Sequence, residues 1–521
     1  MRQGQHLRAH AAPPQTSLLA FITQLFRFRH RQLQKEGAQT WGKRVNTGVI
    51  ISPHYSELPI RSRRDKHTRE FMMQTLSKRK LIFFGLPEYA VYLASIPVVL
   101  YLPFVYSKDF GLSLTDVGLI LMFGRIADVV TDPLIGFLSD RTRSRFGRRK
   151  PWIAAGGLIM MTSAFMLFNP VIQVTNTYLL CWAILLWLGW TMVNIPYYAW
   201  GAELSDDYNE RTRITGWRQF FGFLGNVSVL AIPVLSGQFL GYGALPSEGL
   251  AIIGGMALIA LPVLISITLH QVPEPDRYGK ASSSLLQNLK KVKKNGSFML
   301  LFWAFLLMSL GTGWGSATFM LFASFVVEAE GQTQAILLGY YGANIIALPI
   351  WVYIANRVGK KETWMTGGLL FIVVTPCFLI LQAGDLGLFF LILAFYGVAG
   401  GNFAALSMSM KADVIEIAAR RDGENISGAY IALWSLGQKL VMALALGIAL
   451  PFLEWVGFDP NGVNSAAELD ALSYVYVIPP WIAYACAVTV LWRYPITEQR
   501  LTRIRAALQA REDRRAKKTT S

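Results

Sequence analysis

Three ionisable residues, Arg125, Asp128 and Asp132, lie close together inside an otherwise apolar run from Leu114 to Leu138. A helix turns about 100° per residue, so their side chains fall within an arc of about 60° and form one charged stripe. A charge at the bilayer centre costs about 2.5–3.5 kcal/mol, so three on one helix must face partners or a wet cavity. Two neighbouring carboxylates on a dry face bind a hard cation such as Na+, or share a proton because like charges raise one pKa. Arg125 would balance them when no ion is bound. The bland alternative is a fixed Arg–Asp salt bridge that locks helix packing. A fourth charge, Lys439, falls mid-way along another apolar run, where snorkelling is difficult, and should point inward.

The elements that must carry these groups are membrane helices. Hydrophobic residues make up 53% of the chain and charged residues 16%, which excludes an ordinary soluble domain. Crossing the hydrocarbon core takes roughly 20 apolar residues as helix. Twelve such stretches follow one another: 81–106, 114–138, 152–168, 177–202, 214–239, 250–269, 298–327, 336–355, 364–381, 386–410, 426–455 and 473–494. The chain reads as an all-α polytopic membrane protein. Cys181, Cys377 and Cys486 all sit in apolar stretches and read as small hydrophobes.

Residues 1–72 form a basic extension outside the fold, with a start at Met72 or Met73 favoured over a targeting peptide or a tail. The first half is 73–270, a central polar connection runs from 271 to 297, the second half is 298–494, and 495–521 is a basic tail. The net charge of +17 does not indicate nucleic acid, because the basic residues gather in the leader, the tail and alternate loops. One set of loops carries Arg141 to Lys150, Arg211 and Arg213, Lys290 to Lys294, Arg357 to Lys361, and Arg420 and Arg421, against Lys108 alone in the opposite set. Lys and Arg near span ends stay in the cytoplasm, which places both termini there. A weak repeat relates Phe137–Trp152 to Tyr353–Trp364, one after span two and one after span eight, as expected of two six-helix halves.

With these motifs in place, the chain resembles the glycoside-pentoside-hexuronide:cation symporters, the melibiose-permease-like branch of the major facilitator superfamily. The most specific segment is GRIADVVTDPLIGFLSDRTRSRFGRRKPW, Gly124 to Trp152; NIPYY at 194–198, ADVIE at 412–416 and Lys439 are also similar. The resemblance implies the twelve-helix major facilitator fold and alternating access. It implies that Asp128 and Asp132 bind the coupling cation, that Thr131, Thr191 and Asn194 supply oxygen ligands, and that Lys439 is a cationic partner of the carboxylates. It further implies that Tyr198 and Arg218 face the substrate cavity, and that Asp140, Arg141 and Arg148 brace the gate when the carrier opens outward. Asp413 and Glu416 would be the second-half counterpart of that gate.

The sequence departs from the permease pattern where the sugar is gripped: Asn194 and Tyr92 stand where two carboxylates are expected, and Glu88 lies one turn from Tyr92. Asn and Tyr make weaker neutral hydrogen bonds than a carboxylate, which puts a galactoside in doubt but not transport. Glu88 either reaches the cavity or faces headgroup water. The expected function is therefore Na+- or H+-coupled symport of a sugar-like solute in the cell membrane by a monomer. The rivals are a lysolipid transporter of the same fold and a non-transporting sensor. No metal cluster, nucleophile elbow or phosphate loop suggests an enzyme or a cofactor.

Overall fold

The computed structural model describes residues 76–205, 207–243, 245–275, 285–422, 426–507 and 510. The expected extension over 1–72 and the last residues of the tail lie outside them. In the first half, α1 (Lys78–Leu100) runs into a short α2 (Leu102–Lys108), followed by α3 (Leu114–Ile126), α4 (Asp128–Arg141), α5 (Lys150–Phe168), α6 (Asn176–Glu203), α7 (Tyr208–Leu240) and α8 (Pro246–Gln271). The second half holds α9 (Leu285–Lys293), α10 (Gly296–Phe325), α11 (Thr333–Val358), α12 (Lys360–Val374), α13 (Leu386–Asp422), α14 (Ser427–Trp455) and α15 (Ala466–Trp492).

Among the described residues, eleven single helices are long and apolar enough to cross a membrane. The remaining expected span, the second, is two helices, α3 and α4, interrupted at Ala127 between Arg125 and Asp128. Periodicity over 114–138 suggests one continuous helix, and Ala127 itself keeps helical dihedrals, with its N–H on the Phe123 carbonyl and its own carbonyl accepting from Thr131, so the two helices follow one another with only a local irregularity. A second weak point follows at Pro133, which has no N–H to donate. The central connection also differs from a plain polar loop, since α9 lies within it and packs on α14 with Val292 fully buried.

Local sequence explains many boundaries. Ser113, Thr175, Asp207, Asn295 and Ser465 accept a backbone N–H in the first turn of α3, α6, α7, α10 and α15, satisfying donors that a helix start leaves unpaired. Gly359, at φ 111°, occupies backbone space that favours glycine and separates α11 from α12.

Within the first half α5 packs on α6 and α8, and α1 on α7 and α8; within the second, α11 packs on α13, and α10 and α12 on α15. The halves meet where α3 lies along α14, α7 along α11 and α1 along α10. At Gly118 the α3 backbone comes so close to α14 that a Cβ would stand 3.0 Å from the Leu446 carbonyl oxygen and from Leu450. Beyond Ala127 the packing changes, and α4 lies on α6 of its own half.

The two ends of the bundle are consequently different. At the end opposite the basic loops, where the loops are acidic with Asp116, Glu248, Glu328 and Glu330 among others, Lys108 Nζ is 2.8 Å from Glu330 Oε2, Ser113 and Thr115 donate to Glu454, and Asn461 donates to the Ser107 carbonyl. All these bonds tie one half to the other. At the basic-loop end, the ion pairs of Arg148, Arg149, Lys360 and Arg505 each stay inside one half.

Candidate functional site

The charged stripe spans the irregularity at Ala127. Asp128 is the first residue of α4, directly after Ala127, whose backbone stays helical. Arg125 Nη1 lies 3.3 Å from Asp128 Oδ2, and the guanidinium stacks on Trp187 at 3.3 Å from the ring centroid. Lys439, from α14 of the other half, points inward: its Nζ is 2.6 Å from Asp132 Oδ2 and 3.3 Å from Asp128 Oδ2. The same ammonium lies 4.5 Å from the centre of the Trp190 ring.

Two cations and two carboxylates thus balance with no net charge. Thr191 Oγ1 donates towards Asp132 Oδ1 at 3.0 Å and Asp128 Oδ1 at 3.4 Å, holding the two carboxylates on a common hydroxyl. Asn194 gives its amide N–H to the Trp190 carbonyl, which leaves its Oδ1 buried and unbonded. The Thr131 hydroxyl is likewise buried without a partner. A buried oxygen without a hydrogen bond is costly, and both belong to residues beside the carboxylates in sequence or on the facing helix. The donor set of carboxylate, hydroxyl and amide oxygens suits a hard monovalent cation or a proton.

A second polar cluster lies between α1, α6 and α7. Glu88 is 1% exposed, so it does not face headgroup water. Tyr198 donates its hydroxyl to Glu88 Oε1 at 3.2 Å, and the Arg218 guanidinium lies 4.0 Å over the Tyr198 ring. Arg218 Nε stands 3.9 Å from Glu88 Oε1, too far for a hydrogen bond, and both Arg218 Nε and Glu88 Oε2 lack partners. Tyr92 packs one turn beyond Glu88 against Gly222 and Gly225 of α7, where a Cβ would collide with it. The cluster therefore retains unsatisfied donors and acceptors around a buried charge pair.

The predicted gate residues are placed at the basic-loop end, with partners that sequence reading missed. Arg149, only 5% exposed along its side chain, donates to Asp140 at 2.8 Å and to Glu203 at 2.6 Å, and Arg148 also bonds Glu203. Burial by itself would lower the Arg149 pKa, but its bonds to Glu203 and Asp140 outweigh that and raise it. Glu274 accepts the backbone N–H groups of Arg148 and Arg149 at the start of α5, where the helix dipole favours an anion. Arg141 lies over the Phe137 ring at 3.8 Å. In the second half, Asp413 bonds Lys360 and Arg505, and Glu416 bonds Arg505 and Arg420. Arg505 belongs to a helical stretch, residues 498–507, inside the segment expected as tail. The Glu416 hydrogen bond, with its charge and that of Asp413, raises the Arg505 pKa.

Trp187 and Trp190 were also missed. Their spacing with Thr191 and Asn194, at steps of three and four, puts all four on one face of α6 and could have revealed them. The acids that meet the gate arginines carried no such signal, because Glu203 and Glu274 sit 54 and 125 residues from Arg149.

Residues 83–498 match a family model described as MFS/sugar transport protein. The chain is 26% identical to a symporter of Synechocystis sp. described as uncharacterized, across 85% of this chain and 99% of that protein. It is 25% identical to the isoprimeverose transporter of Lactiplantibacillus pentosus, across 79% of this chain and 88% of that one. It is 24% identical to the sodium-dependent lysophosphatidylcholine symporter 1 of Gallus gallus, across 75% and 81% respectively. In fold it is similar to the crystal structure of the nucleoside transporter NupG, with a TM-score of 0.58, 16% identity, and coverage of 80% of this chain and 99% of that one.

Proposed function

Because this chain belongs to the MFS/sugar transport protein family, a family of membrane transporters and not of enzymes, we propose that it couples entry of Na+ or H+ at Asp128 and Asp132 to symport of a sugar or glycoside-like solute. The carrying observation is the position of Lys439, whose ammonium lies between the two carboxylates and makes the four-charge cluster neutral. A coupling cation would compete for the same oxygens. Once bound, it would leave Lys439 without its acids and draw on the free oxygens of Thr131 and Asn194. The empty carrier can reorient because the cluster is already neutral with Lys439 in place. This allows return without an ion.

The solute would lie beside Glu88, Tyr92, Tyr198 and Arg218, where the unpaired atoms of Glu88 and Arg218 offer an acceptor and a donor to sugar hydroxyls. The Glu88 carboxylate takes over the gripping role that Asn194 and Tyr92 cannot fill. The basic loops support a cytoplasmic position for the end with intra-half ion pairs and for both termini, which would make the arrangement one closed outside and opening inward; a single chain would be the working unit. In the opposite state Asp140, Arg141, Arg148, Asp413 and Glu416 would close that end.

A second reading, a lysolipid as cargo, is favoured by the likeness to the sodium-dependent lysophosphatidylcholine symporter. Uptake into proteoliposomes under imposed Na+ or H+ gradients separates the readings, with neutral glycosides, uronides and lysophosphatidylcholine as cargoes. A glycoside accumulated against its gradient supports the main reading; accumulation of the lysolipid alone overturns it. Asp128→Cys should insert in the membrane but lose gradient-driven accumulation, and full coupling by that variant would remove Asp128 from the site.

A further inference from the structure

The connection between the two halves ends in a run of unopposed positive charge. From Arg277 to Ser297 the sequence carries Arg277, Lys280, Lys290, Lys291, Lys293 and Lys294 and not one acid. Elsewhere at the same end of the bundle the cations are matched within their own half: Arg148 and Arg149 by Glu203, Arg213 by Glu210, and Lys360 and Arg505 by Asp413. Lys290, Lys293 and Lys294 are exposed and pair with no carboxylate among the described residues.

Packing of α9 fixes both the direction and the depth of these charges. Asn288 and Val292 are buried on one face of α9, and at about 100° per residue Lys290 falls on the opposite face and Lys293 at least 100° from both. Val292 belongs to a buried cluster with Phe298, three residues into α10, and Tyr430, four residues into α14, and Asn295 donates its amide N–H to the Tyr430 hydroxyl at 3.0 Å. The apolar run of α10 opens at Phe298, so α9 lies directly above the edge of the hydrocarbon, within the headgroup zone of about 5–8 Å. That is inside the roughly 8–10 Å over which a charge is felt at physiological salt.

We infer that α9 is a docking surface for anionic phospholipid headgroups, which Lys290, Lys293 and Lys294 bind through their phosphates. Four or more Lys and Arg beside a membrane helix attract an anionic leaflet, at roughly fivefold in association per residue near the surface. A protein partner would call for an apolar centre to its interface, and residues 288–294 expose no large apolar side chain. The lipid would tether the basic-loop end of α14, the helix that carries Lys439. The inference is independent of the solute carried.

The test is lipid retention by the purified full-length protein in neutral detergent, loaded with equal amounts of phosphatidylglycerol and phosphatidylcholine and separated from free lipid by gel filtration. The unaltered protein should retain phosphatidylglycerol in preference. The combined variant Lys290→Gln, Lys293→Gln, Lys294→Gln should lower the ratio of retained phosphatidylglycerol to phosphatidylcholine at least fivefold, the contribution of one lysine. Arg514→Gln, Arg515→Gln, Lys517→Gln, which removes three charges from the tail, should leave the ratio within twofold. The arginine variant of the same three α9 lysines, which keeps the charge, should do so too, and shows that a loss in the glutamine variant is not one of folding. No preference in the unaltered protein, a ratio unchanged in the glutamine variant, or an equal fall in the tail variant overturns the docking surface. Each of these outcomes leaves the symport reading standing.

Discussion

Replacing Lys439 by alanine tests whether its ammonium competes with the coupling cation. The substitution removes one positive charge from a balanced cluster of two cations and two carboxylates, leaving a net charge of −1 around Asp128 and Asp132. The lost contact at 2.6 Å is a charge-assisted hydrogen bond, in a class that contributes about 1.5–3 kcal/mol. If the cation must displace Lys439 in the unaltered protein, removing the competitor should tighten cation binding by about 10- to 100-fold, at about 1.4 kcal/mol per factor of ten. The empty carrier, however, would have to reorient with an unpaired buried carboxylate, which costs about 3–5 kcal/mol once the partner of a buried pair is gone. Exchange of labelled for unlabelled solute, with both sides loaded, avoids that empty step, whereas net accumulation requires it. The Lys439→Ala variant should therefore exchange at near-normal rates, accumulate poorly, and show a lower half-saturating cation concentration. Both activities can be measured in one proteoliposome preparation. Exchange and accumulation falling together, with cation affinity unchanged or weaker, would refute the competition.

Two further substitutions probe the ends of the bundle. Gly118→Leu inserts a side chain where a Cβ would already stand 3.0 Å from α14, so it should push α3 from α14, open the acidic-loop end and slow transport at least tenfold. Labelling of a cysteine introduced at Ser113 by an impermeant maleimide should rise in that variant, and unchanged labelling would place the closing contact elsewhere. Arg149→Ala removes bonds to Asp140 and Glu203, and with Asp140 largely exposed and Glu203 still held by Arg148, the cost should be about 1–3 kcal/mol. A thermal unfolding midpoint lowered by a few degrees in detergent, with Arg149→Lys restoring only part of it, is the expected result, since lysine cannot reach both acids with a planar fork.

Much of the architecture was written in the sequence because a bilayer permits few solutions. Runs of about twenty apolar residues, basic loops on one side, and the repeat after spans two and eight left little choice of fold. Arg125, Asp128 and Asp132 were equally legible as a unit, since a few residues of helix fix which side chains are neighbours. Periodicity carried no sign of the irregularity at Ala127, because the backbone stays helical through it and the apolar pattern is intact.

The partners of these charges were decided by tertiary packing. That Lys439 had to face inward follows from the cost of a lone buried charge, but that it meets Asp132, 307 residues away, depends on α3 lying along α14. Glu88 was undecided for the same reason: the sequence places it on a helix and gives its depth, whereas its burial against Tyr198 and Arg218 depends on how α1 sits on α7. Local spacing determines what a helix offers on each face; only the packing of helices remote in sequence determines which face meets which, and there the ion pairs, the orphaned oxygens and the closed end were settled.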